Sequence, residues 1–273
     1  MKSFYLIIVA CYSISQANGQ VIEGTTQLID QPALQGTIQI KTNGATATSF
    51  NYMGTDSACY LVTAKHVFKS QLSRRKIVNK KTVLEYYDTI IFKDGAKVDV
   101  EISYGGQWRK IDARLFYDND SSDIAILKTD LPVEGNNYYF EDNVILSQDC
   151  FFLGYPLGLK QDFSKFLKNP YPLPFVKKGI ISAWKQGTNG VDIYYIDASN
   201  TYGFSGGPAL YYDYARKRLN TFGVVSGYLL QTNKISKSDG TLEYTTENSG
   251  IMQTWSIRYA VKILKRLSVL WPQ

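Results

Sequence analysis

The sequence contains one histidine, His66, and this residue limits the acid–base chemistry open to the chain. A serine, Ser205, lies among small residues in the stretch GFSGGP (203–208), and an acid, Asp123, opens the stretch DIAILK (123–128). A serine hydroxyl is a weak nucleophile unless a base removes its proton and a third group orients that base. These three residue types therefore suggest catalysis by an activated hydroxyl, with His66 as the base.

The known arrangements that activate a serine differ in the order of the acid, the histidine and the serine along the chain. Ser205 stands in a Gly-x-Ser-x-Gly pattern, which fits the nucleophile elbow of an α/β-hydrolase, but there a histidine follows the serine and here none does. A subtilisin-like order needs an acid before the histidine, and although Asp30 and Asp56 precede His66, neither lies in a suitable context. The order that remains is His66, Asp123, Ser205.

Each of these residues also has an ordinary structural interpretation. A lone histidine such as His66 is often a satisfied structural residue, and Ser205 could be a turn serine. Asp118 and Asp120 compete with Asp123 as loop acids, and only the strand pattern after Asp123 selects it. The catalytic interpretation therefore depends on the three residues occurring together, in order and in context.

Composition indicates a β-rich globular protein of 273 residues, because aromatic residues make up 14% and charged residues only 20% of the chain. The net charge is +6, and the densest basic run is SRRKIVNKK (73–81). No aromatic stacking residue or nucleic-acid motif accompanies this run, so we interpret it as a solvated loop and expect no nucleic-acid partner.

The N-terminus has the pattern of a signal peptide over residues 1–19. Lys2 is followed by the apolar stretch 4–14 and by small residues up to Gly19, after which cleavage would leave Gln20 first. The alternative is a lipoprotein box ending in Cys11, which would anchor the mature chain to a membrane. No other segment approaches the ~18 apolar residues that span a bilayer, so we expect an exported protein, periplasmic or secreted.

Two cysteines, Cys59 and Cys150, remain after the leader. They could form one disulfide in an oxidising compartment, or remain two separate buried thiols. Two cysteines and one histidine without close spacing exclude an ordinary structural zinc site, and we expect no metal or organic cofactor.

Apolar residues alternate mostly with a period of two, which predicts many short strands and a sandwich or barrel. The pattern predicts helix at 63–72, for one or two turns, and at 255–267, and a linker at 130–143. The predicted strands are 36–41, 47–53, 59–64, 97–103, 112–117, 123–128, 144–154, 177–185, 191–198, 207–212 and 219–230.

The segments around the three candidate residues resemble known signatures. TAKHV, DIAILK and GFSGGP are similar to the TAAHC, DIALL and GDSGGP motifs of chymotrypsin-fold serine proteases. FFLGYPLG (151–158), VKKGIISA (176–183) and GVVSGY (223–228) resemble the HtrA/DegP branch of that clan. The likeness covers roughly residues 35 to 267, and as an ordered set the motifs are specific.

The resemblance implies an all-β fold of two antiparallel β-barrels with a C-terminal α-helix. The expected units are residues 20–135, with His66 and Asp123, and residues 136–273, with Ser205 and the helix. The chain stops soon after that helix, so we expect no PDZ domain.

The resemblance also implies a role for each site residue. His66 would be the general base, Asp123 would orient it, and Ser205 would attack the substrate carbonyl of a protein or peptide. The backbone N–H groups of Gly203 and Ser205 would form the oxyanion hole.

Substrate would bind along Ser226 and its neighbours, with a pocket near the residues Ser199, Val225, Ser226 and Gly227. Ser199 stands where an acid would select arginine or lysine, so we expect no strict basic preference before the scissile bond.

Lys65 beside His66 and Phe204 before Ser205 depart from the pattern, and two alternatives stay open. Phe204 replaces the aspartate that pairs with a new N-terminus in digestive proteases, so activation by that salt bridge is not expected. The first alternative is a catalytically silent peptide-binding protein of the same fold, and the second is an esterase that uses the same triad.

Overall fold

The computed structural model describes residues 29–78, 81–131, 138–161, 170–238 and 241–269, which are mostly β-strand. The helices are α1 (Gln31–Gln35) and α2 (Arg258–Arg266), with 3-10 turns at Lys65–Phe68 and Pro156–Gly158. The strands are β1 (Thr37–Thr42), β2 (Ala45–Met53), β3 (Cys59–Ala64), β4 (Lys69–Val78), β5 (Lys81–Ile90), β6 (Ala96–Tyr104), β7 (Gln107–Tyr117), β8 (Ile124–Thr129), β9 (Tyr139–Phe140), β10 (Asp149–Gly154), β11 (Phe175–Gly187), β12 (Gly190–Asp197), β13 (Pro208–Asp213), β14 (Arg218–Ser236) and β15 (Leu242–Ser256).

The first half forms a closed barrel with the strand order β1-β2-β3-β8-β7-β6. Side chains on a strand alternate between faces, so the period-two pattern buries one row of each strand inside the barrel. Ile38, Ile40, Leu61, Leu115 and Leu127 lie in this core and are fully buried. The barrel brings β3 and β8 side by side, which matters for the site.

The second half is a sheet with the order β13-β10-β11-β12-β15-β14, which closes on itself because β13 also pairs with β14. The short strand β9 pairs with β14 in parallel. The sheet is therefore not wholly antiparallel, which differs from the expectation. Phe152, Tyr194, Phe204, Phe222 and Met252 fill its core. The expected chymotrypsin-like, all-β fold with a closing helix is confirmed.

The two sheets share a third apolar cluster. Phe50 and Ile126 from the first barrel pack in one cluster with Leu153 and Val224 from the second sheet, and Ile263 of α2 joins them. All five are buried, so the hydrophobic effect opposes separation of the two halves. Residues contributed by both halves can therefore meet in a fixed geometry.

Most predicted strands are confirmed, and β3 has the predicted bounds. Within the basic run 73–81, the described residues 73–78 and 81 are not a loop, because they belong to the paired strands β4 and β5. The predicted strand 144–154 is formed only from Asp149 onwards, where β10 begins. The predicted helix at 63–72 is only the 3-10 turn Lys65–Phe68, and Trp255–Ser256 belong to β15 rather than to the C-terminal helix.

Several expectations concern residues that the structure does not describe. The predicted leader, Cys11 and residues 132–137 at the predicted unit boundary lie outside the described residues. Cys59 and Cys150 are free and buried in different sheets, and burial raises the pKa of each thiol to about 12. Among the described helices, none has the length and apolar character needed to cross a bilayer.

Candidate active site

His66 lies in the 3-10 turn that follows β3, and one carboxylate fixes both its backbone and its ring. Its backbone N–H donates to Asp123 Oδ1 at 2.7 Å, and its Nδ1 lies 2.6 Å from Asp123 Oδ2. The imidazole is about one-third exposed, whereas the Asp123 side chain is 15% exposed. Because Nδ1 is engaged, Nε2 is the nitrogen left to act on a substrate or a hydroxyl.

Strand pairing explains why His66 and Asp123 meet. β3 and β8 are antiparallel neighbours in which Ala64 pairs with Ile124, so the residues just beyond these strand ends share one edge of the barrel. The Lys65 N–H donates to the Asp123 carbonyl oxygen at 3.1 Å and extends this pairing.

A third group, Ser226 of β14, also binds the carboxylate. Its hydroxyl donates to Asp123 Oδ2 at 2.5 Å. Burial by itself raises the pKa of Asp123, but hydrogen bonds from His66 and Ser226 to the ionised form outweigh it, so the pKa lies below its usual value. The carboxylate is therefore ionised at neutral pH, and both of its oxygens accept hydrogen bonds.

The competing acids Asp118 and Asp120 have a different role. The ammonium group of Lys262, in α2, lies 2.8 Å from the Asp118 carboxylate and 3.2 Å from that of Asp120. Lys65 Nζ donates to the backbone carbonyls of both residues, at 3.2 Å and 2.9 Å. Lys65 therefore fastens the loop that leads into Asp123.

Ser205 lies in a tight turn that leads into β13, between Gly203 (φ 99°) and Gly206 (φ 87°). A Cβ atom on Gly206 would collide with the carbonyl oxygen of Thr48, so the turn packs directly against the first barrel. The Ser205 hydroxyl donates to the Ser226 carbonyl oxygen at 3.2 Å. In the described part of the chain it makes no hydrogen bond to the imidazole.

Two backbone N–H groups in this turn are free. The neighbouring N–H groups of Phe204, Gly206 and Gly207 donate to Thr201, Val225 and Phe204 carbonyls. Those of Gly203 and Ser205 have no acceptor among the described residues. Free donors beside a hydroxyl are the arrangement that stabilises an oxyanion.

The predicted substrate residues differ in exposure. Ser226 contacts Ser205 through its carbonyl oxygen, and a Cβ on Gly227 would point into open space. Val225 is fully buried, and its N–H and C=O bind Gly207 and Gly206, so it supports the site from the core. Ser199 is exposed, and its carbonyl accepts a hydrogen bond from Lys177.

Asn200, which was not predicted from the sequence as a site residue, is 2% exposed. Its Nδ2 donates to the Gly227 carbonyl at 3.3 Å, while its Oδ1 has no partner among the described residues. The ring centres of Tyr202 and Tyr228 lie 6.3 Å apart in an edge-to-face arrangement. The one signal in the sequence that could have indicated Asn200 is an amide side chain next to Ser199. The burial of this amide depends on its contact with β14.

Phe204 occupies the position where digestive proteases carry an aspartate, and it is buried. Its ring packs edge to face on Phe152 at 5.1 Å, and the Lys177 ammonium lies 5.8 Å from its centre.

We expect Phe204→Ala to lower the free energy of unfolding by about 3–5 kcal/mol, because it leaves a cavity under the Ser205 turn. Denaturant unfolding measures this loss, and Phe204→Leu, the control, should lose clearly less; equal stability of all three proteins would contradict the anchoring role.

Comparisons with known proteins identify the family of the chain. Residues 47–216 match the trypsin-like peptidase domain. No curated protein sequence matches the chain.

Solved structures with a similar fold include the inactive form of the Rv3671c protease (TM-score 0.50, 16% identity, 86% of this chain and 89% of that chain). An inactive mutant of Rv3671c from M. tuberculosis H37Rv gives a TM-score of 0.50 at 15% identity, over 88% and 90% of the two chains. A serine endoprotease from Yersinia pestis gives 0.49 at 18% identity, over 87% and 64%. At these identities the structural likeness concerns the fold alone.

Proposed function

The chain belongs to the trypsin-like peptidase domain family, and we propose that it is an exported serine endopeptidase acting through His66, Asp123 and Ser205. The observation that carries this proposal is the doubly bound His66, whose backbone N–H and Nδ1 both engage the Asp123 carboxylate. An imidazole held in this way keeps its Nε2 lone pair available as a base. The proposal of export depends on the leader pattern in residues 1–19.

The first chemical step forms an acyl-enzyme. Nε2 of His66 takes the Ser205 proton while Oγ bonds to the substrate carbonyl carbon, and the carbonyl π electrons move to its oxygen. The free N–H groups of Gly203 and Ser205 stabilise that oxyanion. The intermediate then collapses, the C–N bond breaks, and His66 gives its proton to the leaving amine.

The second step repeats this chemistry with water. His66 takes a proton from the water, the hydroxide oxygen bonds to the acyl carbon, and the Ser205 ester bond breaks. Ser205 recovers its proton from the imidazolium, which Asp123 stabilises throughout. The depressed pKa of Asp123 keeps this carboxylate ionised when the neighbouring imidazole carries a charge.

In the resting site the Ser205 hydroxyl is bonded to the Ser226 carbonyl rather than to the imidazole. A rotation about its Cα–Cβ bond is therefore part of the catalytic cycle. Catalytic hydrogen bonds are often formed only in the substrate complex, so this geometry is compatible with an enzyme. It is also the observation that favours the second candidate, a catalytically silent peptide-binding protein.

We expect the substrate to be a protein or peptide without a required arginine or lysine before the scissile bond. Ser199 supplies no negative charge, and the neighbouring Asn200 offers a neutral amide. Comparing peptide and small-ester turnover distinguishes an endopeptidase from an esterase with the same triad.

Labelling with a fluorophosphonate probe tests the proposal. We expect the wild type to form a stable adduct and Ser205→Ala to form none, because the probe reacts only with an activated serine. Ser182→Ala, which changes an exposed serine of β11, is the matched control and should label like the wild type. Absence of labelling in folded wild-type protein would support the silent binding protein.

A further inference from the structure

β14 continues well past the second barrel and forms a long hairpin with β15. The part beyond the barrel, which we call the arm, comprises Leu230–Ser236 of β14 and Leu242–Asn248 of β15, paired from Leu230↔Asn248 to Ser236↔Leu242. At the usual rise per residue, β14 extends roughly 30 Å beyond Ser226. A hairpin of this length presents two rows of backbone groups to solvent.

One edge of β14 leads directly away from the nucleophile. β13 covers this edge up to Val224, after which Gly206 and Gly207 bond to Val225 and the Ser205 hydroxyl bonds to Ser226. Asn200 then binds the Gly227 carbonyl. Beyond that point, no strand within the described residues pairs with this edge, whereas β15 occupies the other edge.

The two faces of the arm differ in chemistry. The pairings place Leu230, Tyr244 and Leu242 on one face, where they are 64%, 63% and 48% exposed. On the opposite face, Gln231 and Asn233 donate hydrogen bonds to Glu247. Along the free edge itself, β14 presents Leu230 on the first face and Ile235, which is 45% exposed, on the opposite face, whereas Tyr244 and Leu242 lie on β15, one strand farther from this edge.

We propose that the free edge of the arm, Leu230–Ser236 of β14, binds substrate residues more than three positions before the scissile bond, which continue the antiparallel strand expected beside Ser226. This inference rests on the proposed peptidase function. β14 runs away from Ser205, so a peptide laid antiparallel to it, as β13 is, runs towards Ser205. Residues up to about ten positions before the scissile bond can then reach the arm.

The substrate chain is the occupant that the geometry favours, because the free edge is continuous with the bond between Ser205 and Ser226. Strand addition supplies affinity through backbone hydrogen bonds and selectivity through alternate side chains. Apolar substrate residues would pack on Leu230 from one face of the added strand and on Ile235 from the other. Long open edges are otherwise a risk for aggregation, and proteins usually cover them.

A series of peptides with one scissile site and three, six or ten residues before it tests the inference. We expect kcat/KM to rise at least tenfold from the shortest to the longest peptide, and equal lengthening after the scissile bond to have no such effect. N-methylation of alternate backbone amides in the longest peptide should remove the gain in one register only. Hydrolysis that is independent of length would overturn the arm proposal and leave the peptidase assignment intact.

Variants of the arm locate the effect. Replacing residues 231–247 by an Asn-Gly turn should abolish the length dependence while fluorophosphonate labelling and hydrolysis of the shortest peptide remain unchanged. Should that variant fail to fold, Leu230→Ser and Ile235→Ser should each reduce the gain severalfold. Tyr244→Ser, on β15 and one strand away from the free edge, is their control and should retain the gain.

Binding of fluorescent peptides to Ser205→Ala provides a readout without catalysis. The longest peptide should bind at least tenfold more tightly than the shortest, even if the wild type proves catalytically silent. If the arm instead pairs with a second copy of the chain, peptide length has no effect and sedimentation shows a dimer that disappears on removal of residues 231–247. That result would overturn the inference.

Discussion

His66→Ala is expected to lower kcat for peptide hydrolysis about 10⁶-fold, the largest effect that any substitution in this chain should have on catalysis. The chain contains no second histidine, so no other imidazole can take the Ser205 proton. Binding of peptide should change little, because His66 contributes a proton acceptor rather than a binding surface. Single-turnover rates and peptide affinity, measured on the same protein, separate the two effects.

The pH dependence provides the control for this prediction. Asp123 has a pKa below its usual value, so its carboxylate stays ionised as the pH falls from 7 to 5. A general base acts only in its unprotonated form, so we expect kcat/KM to fall in acid, and a rate that stayed constant from pH 7 to 4 would rule out His66 as the base.

The local parts of the site could be predicted from the sequence. The predicted strand 59–64 ends just before His66, and the strand that starts next to Asp123 pairs with it, so two residues far apart in the chain meet at one barrel edge. The glycines around Ser205 were equally informative, because positive φ angles and close packing admit no side chain there. Such features depend on neighbouring residues, which a single sequence displays.

Other parts of the site depend on how the two halves dock, and these were not predictable. The bond from the Ser226 hydroxyl to Asp123 joins residues 103 positions apart and needs the packing of β14 against the first barrel. Lys65 looked unusual beside His66, yet its ammonium group binds the carbonyls of the Asp118–Asp120 loop. Neither contact leaves a pattern in the sequence.

Strands without a buried face were also missed. The predicted strand 219–230 stops where burial stops, whereas β14 continues to Ser236. Alternation of apolar and polar residues arises from burying one face, so a hairpin exposed on both faces lacks that signal.

Asp123→Asn should lower kcat/KM by roughly 10⁴ while leaving the fold and peptide affinity largely intact. The asparagine can still accept the His66 backbone N–H through Oδ1, but its NH₂ group then faces Nδ1. An NH₂ donor at that position favours the imidazole tautomer with its proton on Nε2, so the ring has no lone pair to accept the Ser205 proton. Steady-state hydrolysis and thermal unfolding of the purified variant measure the two quantities.

The matched control is Asp118→Asn, because that carboxylate binds Lys262 in α2 and takes no part in the proposed chemistry. Its two cationic partners, Lys262 and Arg266, are 61% and 42% exposed, so the loss of these pairs should cost only about 1 kcal/mol of stability and little activity. A large loss of rate in Asp118→Asn with near-normal activity in Asp123→Asn would reverse the choice between the acids. Equal and large losses in both would instead indicate that the loop fastened by Lys65 positions His66, with no separate role for the Asp123 charge.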